Sequence, residues 1–152
     1  MPPLSFSTVG RWFIIPDAIK KETEEQGLEF DGRIHDVEHA MIAMSPIFAM
    51  CDRWDIGGLS TPLHPTTGNA TIFTYDGFEG GIGISETLYL KIKPLWEKTL
   101  KLIDNCECKD GCPSCIYSPK CGNENKPLDK KAASIILHRL LTYLQLTIQE
   151  PK

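Results

Sequence analysis

The chain has 152 residues, a formal net charge of −4, 41% hydrophobic and 24% charged residues. Those proportions fit one globular domain with its own core, and they exclude a disordered chain and, at this length, a complete motor. No apolar run approaches the roughly 18 residues of a membrane span, and Met1-Pro2-Pro3-Leu4 lacks the basic and apolar segments of a secretion signal. The expected setting is cytoplasmic, where six cysteines point to metal or chemistry rather than disulfides.

The charge is unevenly spread. Residues 17–38 carry −5 and residues 39–90 carry −4, whereas residues 91–152 carry +4. An acidic front is joined to a basic back, so the total does not exclude an anionic partner.

In chain order, Val9–Ile15 is rich in β-branched and aromatic residues and reads as a strand. Pro16-Asp17 opens a short helix that Gly27 can close, with Glu22, Glu24 and Glu25 on a solvated face. From Ile34 to Cys51, apolar residues recur at helical spacing; Pro46 should kink or split that helix. Its methionine stripe reads as core, and Cys51 as a buried thiol. Asp52–Gly58 reads as a loop, followed by a hairpin of Leu59–His64 and Ala70–Tyr75. Ser85 is a plausible N-cap for a helix from Glu86 to about Asn105, bent at Pro94. A cysteine-rich loop spans 106–127, and Asp129 can cap a last helix with the stripe Ile136, Leu140, Leu144 and Ile148. The expected fold is α/β (mixed α+β): residues 1–152 as a single domain, with a small sheet packed against several helices and a metal-bound loop.

Five of the six cysteines fall between positions 106 and 121. Cys112-Pro113-Ser114-Cys115 is a knuckle whose two thiolates can point at one ion. Tetrahedral zinc takes four such ligands at about 2.3 Å. Cys108, Cys112, Cys115 and Cys121 are the expected ligands of one structural zinc, with Cys106 as the spare. A four-cysteine iron–sulfur cluster is the alternative occupant. A closed four-thiolate site keeps no open position, so it staples rather than catalyses.

Two further patterns invite a chemical reading. His35-Asp36-Val37-Glu38-His39 matches the H-x-x-E-H order of a zinc peptidase, but no third ligand stands out downstream. The strand, glycine-rich loop and helix from Tyr75 to Glu86 suggest a phosphate cradle. The chain nevertheless has no G-x-x-x-x-G-K-[ST] and no Gly-Lys pair. Close backbone packing is the simple explanation; amide contact of Gly80 and Gly81 with a nucleic-acid phosphate is the functional one.

Taken together, His35-x-x-Glu38-His39-Ala40, Met50-Cys51-Asp52-Arg53-x-Asp55-Ile56-Gly57-Gly58, Tyr75-Asp76-Gly77-x-x-Gly80-Gly81-Ile82-Gly83 and the cysteine run ending Cys121-Gly122-Asn123 occur in order. They resemble the C-terminal zinc-binding domain of DEAD/DEAH-box superfamily 2 DNA helicases of the mitomycin repair factor A (MrfA) type, over about Leu4 to Leu141. The resemblance implies a domain of an ATP-dependent 3′–5′ helicase acting in DNA repair, following two RecA-like motor domains and a winged helix. It carries the zinc ligands onto Cys108, Cys112, Cys115 and Cys121, and it absorbs the H-x-x-E-H pattern into a family helix.

The helicase core itself is missing from these residues: there is no P-loop and no D-E-x-H/D box. ATP binding and hydrolysis would belong to the parent or a partner polypeptide, and this chain would have no catalytic residues. Its expected role is to brace the RecA-like motor domains, in cis or in trans, and to contact single-stranded DNA. Lys120, Lys126, Lys130 and Lys131 around the metal loop are the candidate phosphate contacts, with no membrane partner. The rivals are a protein-interaction module that binds only the motor, through the acidic 17–38 face or the Trp54 loop, and a metallohydrolase built on His35, Glu38 and His39.

Overall fold

The computed structural model describes residues 5–31, 33–109, 111–115 and 129–149, the side chains of 145–149 excepted. Alternation sets up the sheet. In β1 (Gly10–Ile15), Phe13 and Ile15 are buried while Trp12 and Ile14 face outward. β3 (Ala70–Asp76) lies at the centre, antiparallel to both β1 and β2 (Ile56–Thr61), giving the order β1-β3-β2. The register aligns Trp12, Phe73 and Leu59 in one row across the three strands.

β2 starts at Ile56, earlier than the expected Leu59, after a single 3₁₀ turn at Arg53–Asp55. Gly57 and Gly58 hide this start because glycine is a poor strand former. Both are there for space. A Cβ at Gly57 would lie 2.2 Å from the Tyr75 ring, and one at Gly58 would lie 2.4 Å from Ile42 Cδ1 and 2.7 Å from Glu38 Oε1.

The inner face of β2 and β3 packs on α2 (Ile34–Ala49), the central helix, which also meets α4 (Ile92–Asn105) and α5 (Lys130–Gln149), while Phe13 of β1 packs on Tyr89 and Trp96. Val37, Ala40 and Met41 are fully buried along it. The Trp96 indole of α4 donates to Met41 Sδ at 3.3 Å, so Met41 is core; the expectation for the rest of the stripe is corrected, since Met44 is half-buried and Ile47 is exposed. Pro46 does not split α2. It sits near the C-terminal end, and one turn beyond it still closes.

α1 (Asp17–Glu25) is as expected, but Glu22 on its acidic side pairs with Arg139 of α5 and ties the two helices. The long helix expected over 86–105 is two helices, α3 (Ile84–Leu90) and α4, parted at Lys91. Pro94 is the cause: it has no N–H for the Leu90 carbonyl, and it sits in the first turn of α4, where that N–H is not needed. Asp129 caps α5 as expected, its Oδ1 accepting from the amides of Lys131 at 3.0 Å and Ala132 at 3.3 Å.

Candidate metal centre

α4 ends at Asn105, and Cys106 leaves it with an extended backbone. The chain then doubles back through a turn in which the Cys115 amide donates to the Cys112 carbonyl at 3.0 Å. Four sulfurs meet as a result. Cys106 lies 3.5 Å from Cys108 and 3.5 Å from Cys112, Cys108 lies 3.5 Å from Cys115, and Cys112 lies 3.8 Å from Cys115. A tetrahedron of thiolates about 2.3 Å from one zinc has edges of about 3.8 Å. The distances are far too long for disulfides, and a cluster of several irons would need the sulfurs spread around it. The donor set fits one structural zinc.

Cys106, expected to be the spare, is therefore one of the four sulfurs gathered. Cys108, Cys112 and Cys115 stand as expected, and Cys121 lies outside the described residues. Cys115 is buried against the core. The Ser114 amide, then the Cys106 sulfur, hold the Cys112 thiol down to about 7, towards the thiolate that a metal binds. Burial pushes the Cys108 thiol up. Cys51 stands apart on α2's C-terminal side, half-buried, where desolvation and then Asp55 and Asp52 raise its thiol.

The loop is tied to α5 from below. Lys130 Nζ donates to the Cys106 carbonyl and, at 3.0 Å, to the Cys108 carbonyl. Its ammonium is thus engaged within the fold, unlike a phosphate contact waiting in solvent. Lys131 is exposed; Lys120 and Lys126 lie outside the described residues. The neighbouring Asp129 amide donates at 2.6 Å to Oδ2 of Asp36, a fully buried carboxyl on the first turn of α2. Burial raises Asp36 to about 7, against the pull of the Asp129 amide and the Arg33 charge.

The glycine-rich loop holds an anion from its own chain. Asp76, buried at the end of β3, accepts at Oδ2 from the amides of Ile82 (2.7 Å), Gly83 (2.9 Å) and Ile84 (3.3 Å), and at Oδ1 from Ser85 (2.7 Å). Burial alone would raise this carboxyl, but the Ser85, Ile82 and Gly83 amides outweigh it and hold the pKa below its ordinary value. Gly83, at φ +90°, stands at the N-cap in place of the expected Ser85 and turns the amides toward Asp76. The Gly80 amide donates to Ser7 O and the Gly81 amide to Phe78 O. The expected phosphate contact by these two glycines is corrected accordingly: their amides are already spent inside the fold.

The H-x-x-E-H residues also face inward. Ser60 Oγ donates to Glu38 Oε2 at 2.7 Å, and His35 Nδ1 lies 2.9 Å from the same oxygen. The His35 and His39 rings pack 4.1 Å apart. Glu38 thus pins α2 to β2. Among the described residues, the cysteines form the one group with metal-holding geometry, and His35, Glu38 and His39 do not make a second.

The sequence profile of the MrfA Zn-binding domain family matches residues 37–116. An uncharacterised protein of Methanocaldococcus jannaschii is 46% identical over 112 residues, which is 72% of this chain and 100% of that protein. The uncharacterised ATP-dependent helicase YprA of Bacillus subtilis is 44% identical over 71 residues, 47% of this chain but 10% of the helicase. A crystal structure of the DUF1998 helicase MrfA bound to DNA superposes with a TM-score of 0.57 at 32% identity, covering 81% of this chain and 15% of that one. The chain thus spans the whole of the archaeal relative and only a small part of the helicases. Among the described residues, no helix is long and apolar enough to cross a membrane.

Proposed function

Because this chain belongs to the MrfA Zn-binding domain family, we propose that it is the non-catalytic zinc-binding domain of an ATP-dependent 3′–5′ DNA helicase acting in cytoplasmic DNA repair. ATP hydrolysis falls to RecA-like motor domains, in the same polypeptide or a partner. The zinc domain braces them and contacts single-stranded DNA. The observation that carries this reading is the four-sulfur centre closed by Cys106, Cys108, Cys112 and Cys115 on the family's fold. Those four are the proposed ligands. Such a site has no open coordination position, so the metal fixes the turn from Cys106 to Cys115 rather than activating water.

Metal analysis of single variants tests the ligand set. Cys106→Ser should lose the single zinc, whereas Cys121→Ser should retain it. The opposite pattern would restore Cys121 to the set and remove Cys106. For the role itself, a MrfA-type helicase core lacking its own zinc domain should unwind a 3′-tailed duplex faster when this chain is supplied. The chain alone should hydrolyse no ATP. ATP turnover by the chain, or a core indifferent to it, would sink the reading.

A further inference from the structure

A shallow, open groove of about 380 Å³ runs between α2, the C-terminal half of α4 and the cysteine loop. That is within the size range of small-ligand pockets. Met44 and Leu102 line it with apolar surface, Asn105 and Ser114 add polar groups, and Lys98 and Lys101 stand beside it. The two lysines are three residues apart on α4, hence neighbours on one face. Lys20 reaches Asp31, Lys21 reaches Asp17 and Lys130 holds two carbonyls, whereas Lys98 and Lys101, like Lys93, Lys109 and Lys131, are exposed. No ion pair among the described residues engages Lys98 or Lys101. The nearby acid Asp104 is turned to α5, where Ser134 Oγ lies 2.6 Å and His138 Nε2 3.4 Å away. Glu97 is exposed on the same helix.

We propose that this groove is a nucleotide subsite for single-stranded DNA. Lys98 and Lys101 hold successive phosphates, and the Met44 and Leu102 side chains take a base against the apolar floor. The proposal rests on the DNA-contacting role above and names the surface that performs it. Two cations over an apolar floor complement a chain of phosphates carrying flat, unpaired bases. A methionine thioether packs well against an aromatic ring. Duplex DNA keeps its bases stacked and cannot offer one. Because Cys106 and Ser114 form one wall, the zinc loop shapes the site, which connects metal binding to DNA contact without metal chemistry.

The test is fluorescence anisotropy of a labelled 12-nucleotide polythymidine with the zinc-loaded 152-residue chain, titrated over a range of salt. Lys98→Glu/Lys101→Glu should weaken binding about tenfold or more and flatten the salt dependence by about 1.4 log units per decade, two phosphate contacts at roughly 0.7 each. Met44→Ala should weaken binding with the salt slope unchanged. Zinc content and melting temperature report whether each variant is folded, and Lys98→Gln/Lys101→Gln repeats the test without introducing acids. Unaltered affinity and slope in folded lysine variants would overturn the groove and leave the DNA role standing. No binding of the oligonucleotide by the unaltered chain at low salt would overturn both. Equally tight binding of a polyglutamate peptide would overturn the nucleotide assignment in favour of an acidic protein surface.

Discussion

Two buried carboxyls sit in opposite surroundings, and their responses to pH differ in sign. Asp36, raised to about 7, keeps its proton in the folded chain over a range where the unfolded chain has lost it. Stability contributed at this position therefore falls as pH rises from about 4 to about 7. Asp36→Asn removes that dependence, so the melting temperature of the variant minus that of the wild type should grow from pH 5 to pH 8. Asp76 is the reverse case: its contribution is present above the ordinary aspartate pKa and is lost as pH falls through its lowered folded value. Asp76→Ala strands four amides, and urea unfolding at neutral pH should report a loss of about 2 kcal/mol or more. The glycine loop was legible in the sequence; its anion was not, because nothing in the order of residues tells that the loop folds back to aim four amides at the Asp76 that precedes it. Cys106 was hidden for a related reason. Two residues from Cys108, it looks redundant until the chain leaves α4 extended and turns its sulfur back to the others.

Among the elements, the helices were readable from apolar spacing and from caps such as Asp129, and the errors fell where a local rule gave way to packing. β2 begins at two glycines because Tyr75 and the Glu38–Ile42 side of α2 occupy the space of their side chains. Gly58→Val should therefore cost about 1–3 kcal/mol in denaturant unfolding, through displacement of Glu38 from Ser60. A variant as stable as wild type would refute that account. Pro94 divides α3 from α4 rather than bending one helix, since a break at Lys91 moves the proline into a first turn. The lysines that flank the candidate groove were not singled out in the sequence. Lys98 and Lys101 lie before the cysteines, and only the packing of α4 beside the loop brings them to it.

For the molecule as a whole, the sheet has one face covered by α2 and α3 and another that is apolar yet open. Trp12, Ile14, Leu59 and Tyr75 are 39% to 60% exposed there. Outward sheet faces are ordinarily polar, and a contiguous apolar one is a contact surface in waiting. On the proposed function, this face would meet the motor domains and the groove would meet DNA. Trp12→Ser should weaken capture of a helicase core at least several-fold while leaving zinc content and oligonucleotide affinity unchanged. The proposed four-thiolate centre also bears on the order in which the molecule assembles. All its sulfurs come from residues 106 to 115, so closing it brings together only near neighbours in the chain, at little loop entropy. A ribosome that has released this stretch but not yet α5 has already exposed a complete ligand set. The metal can be captured first, and Lys130 then arrives to find two carbonyls already held in place.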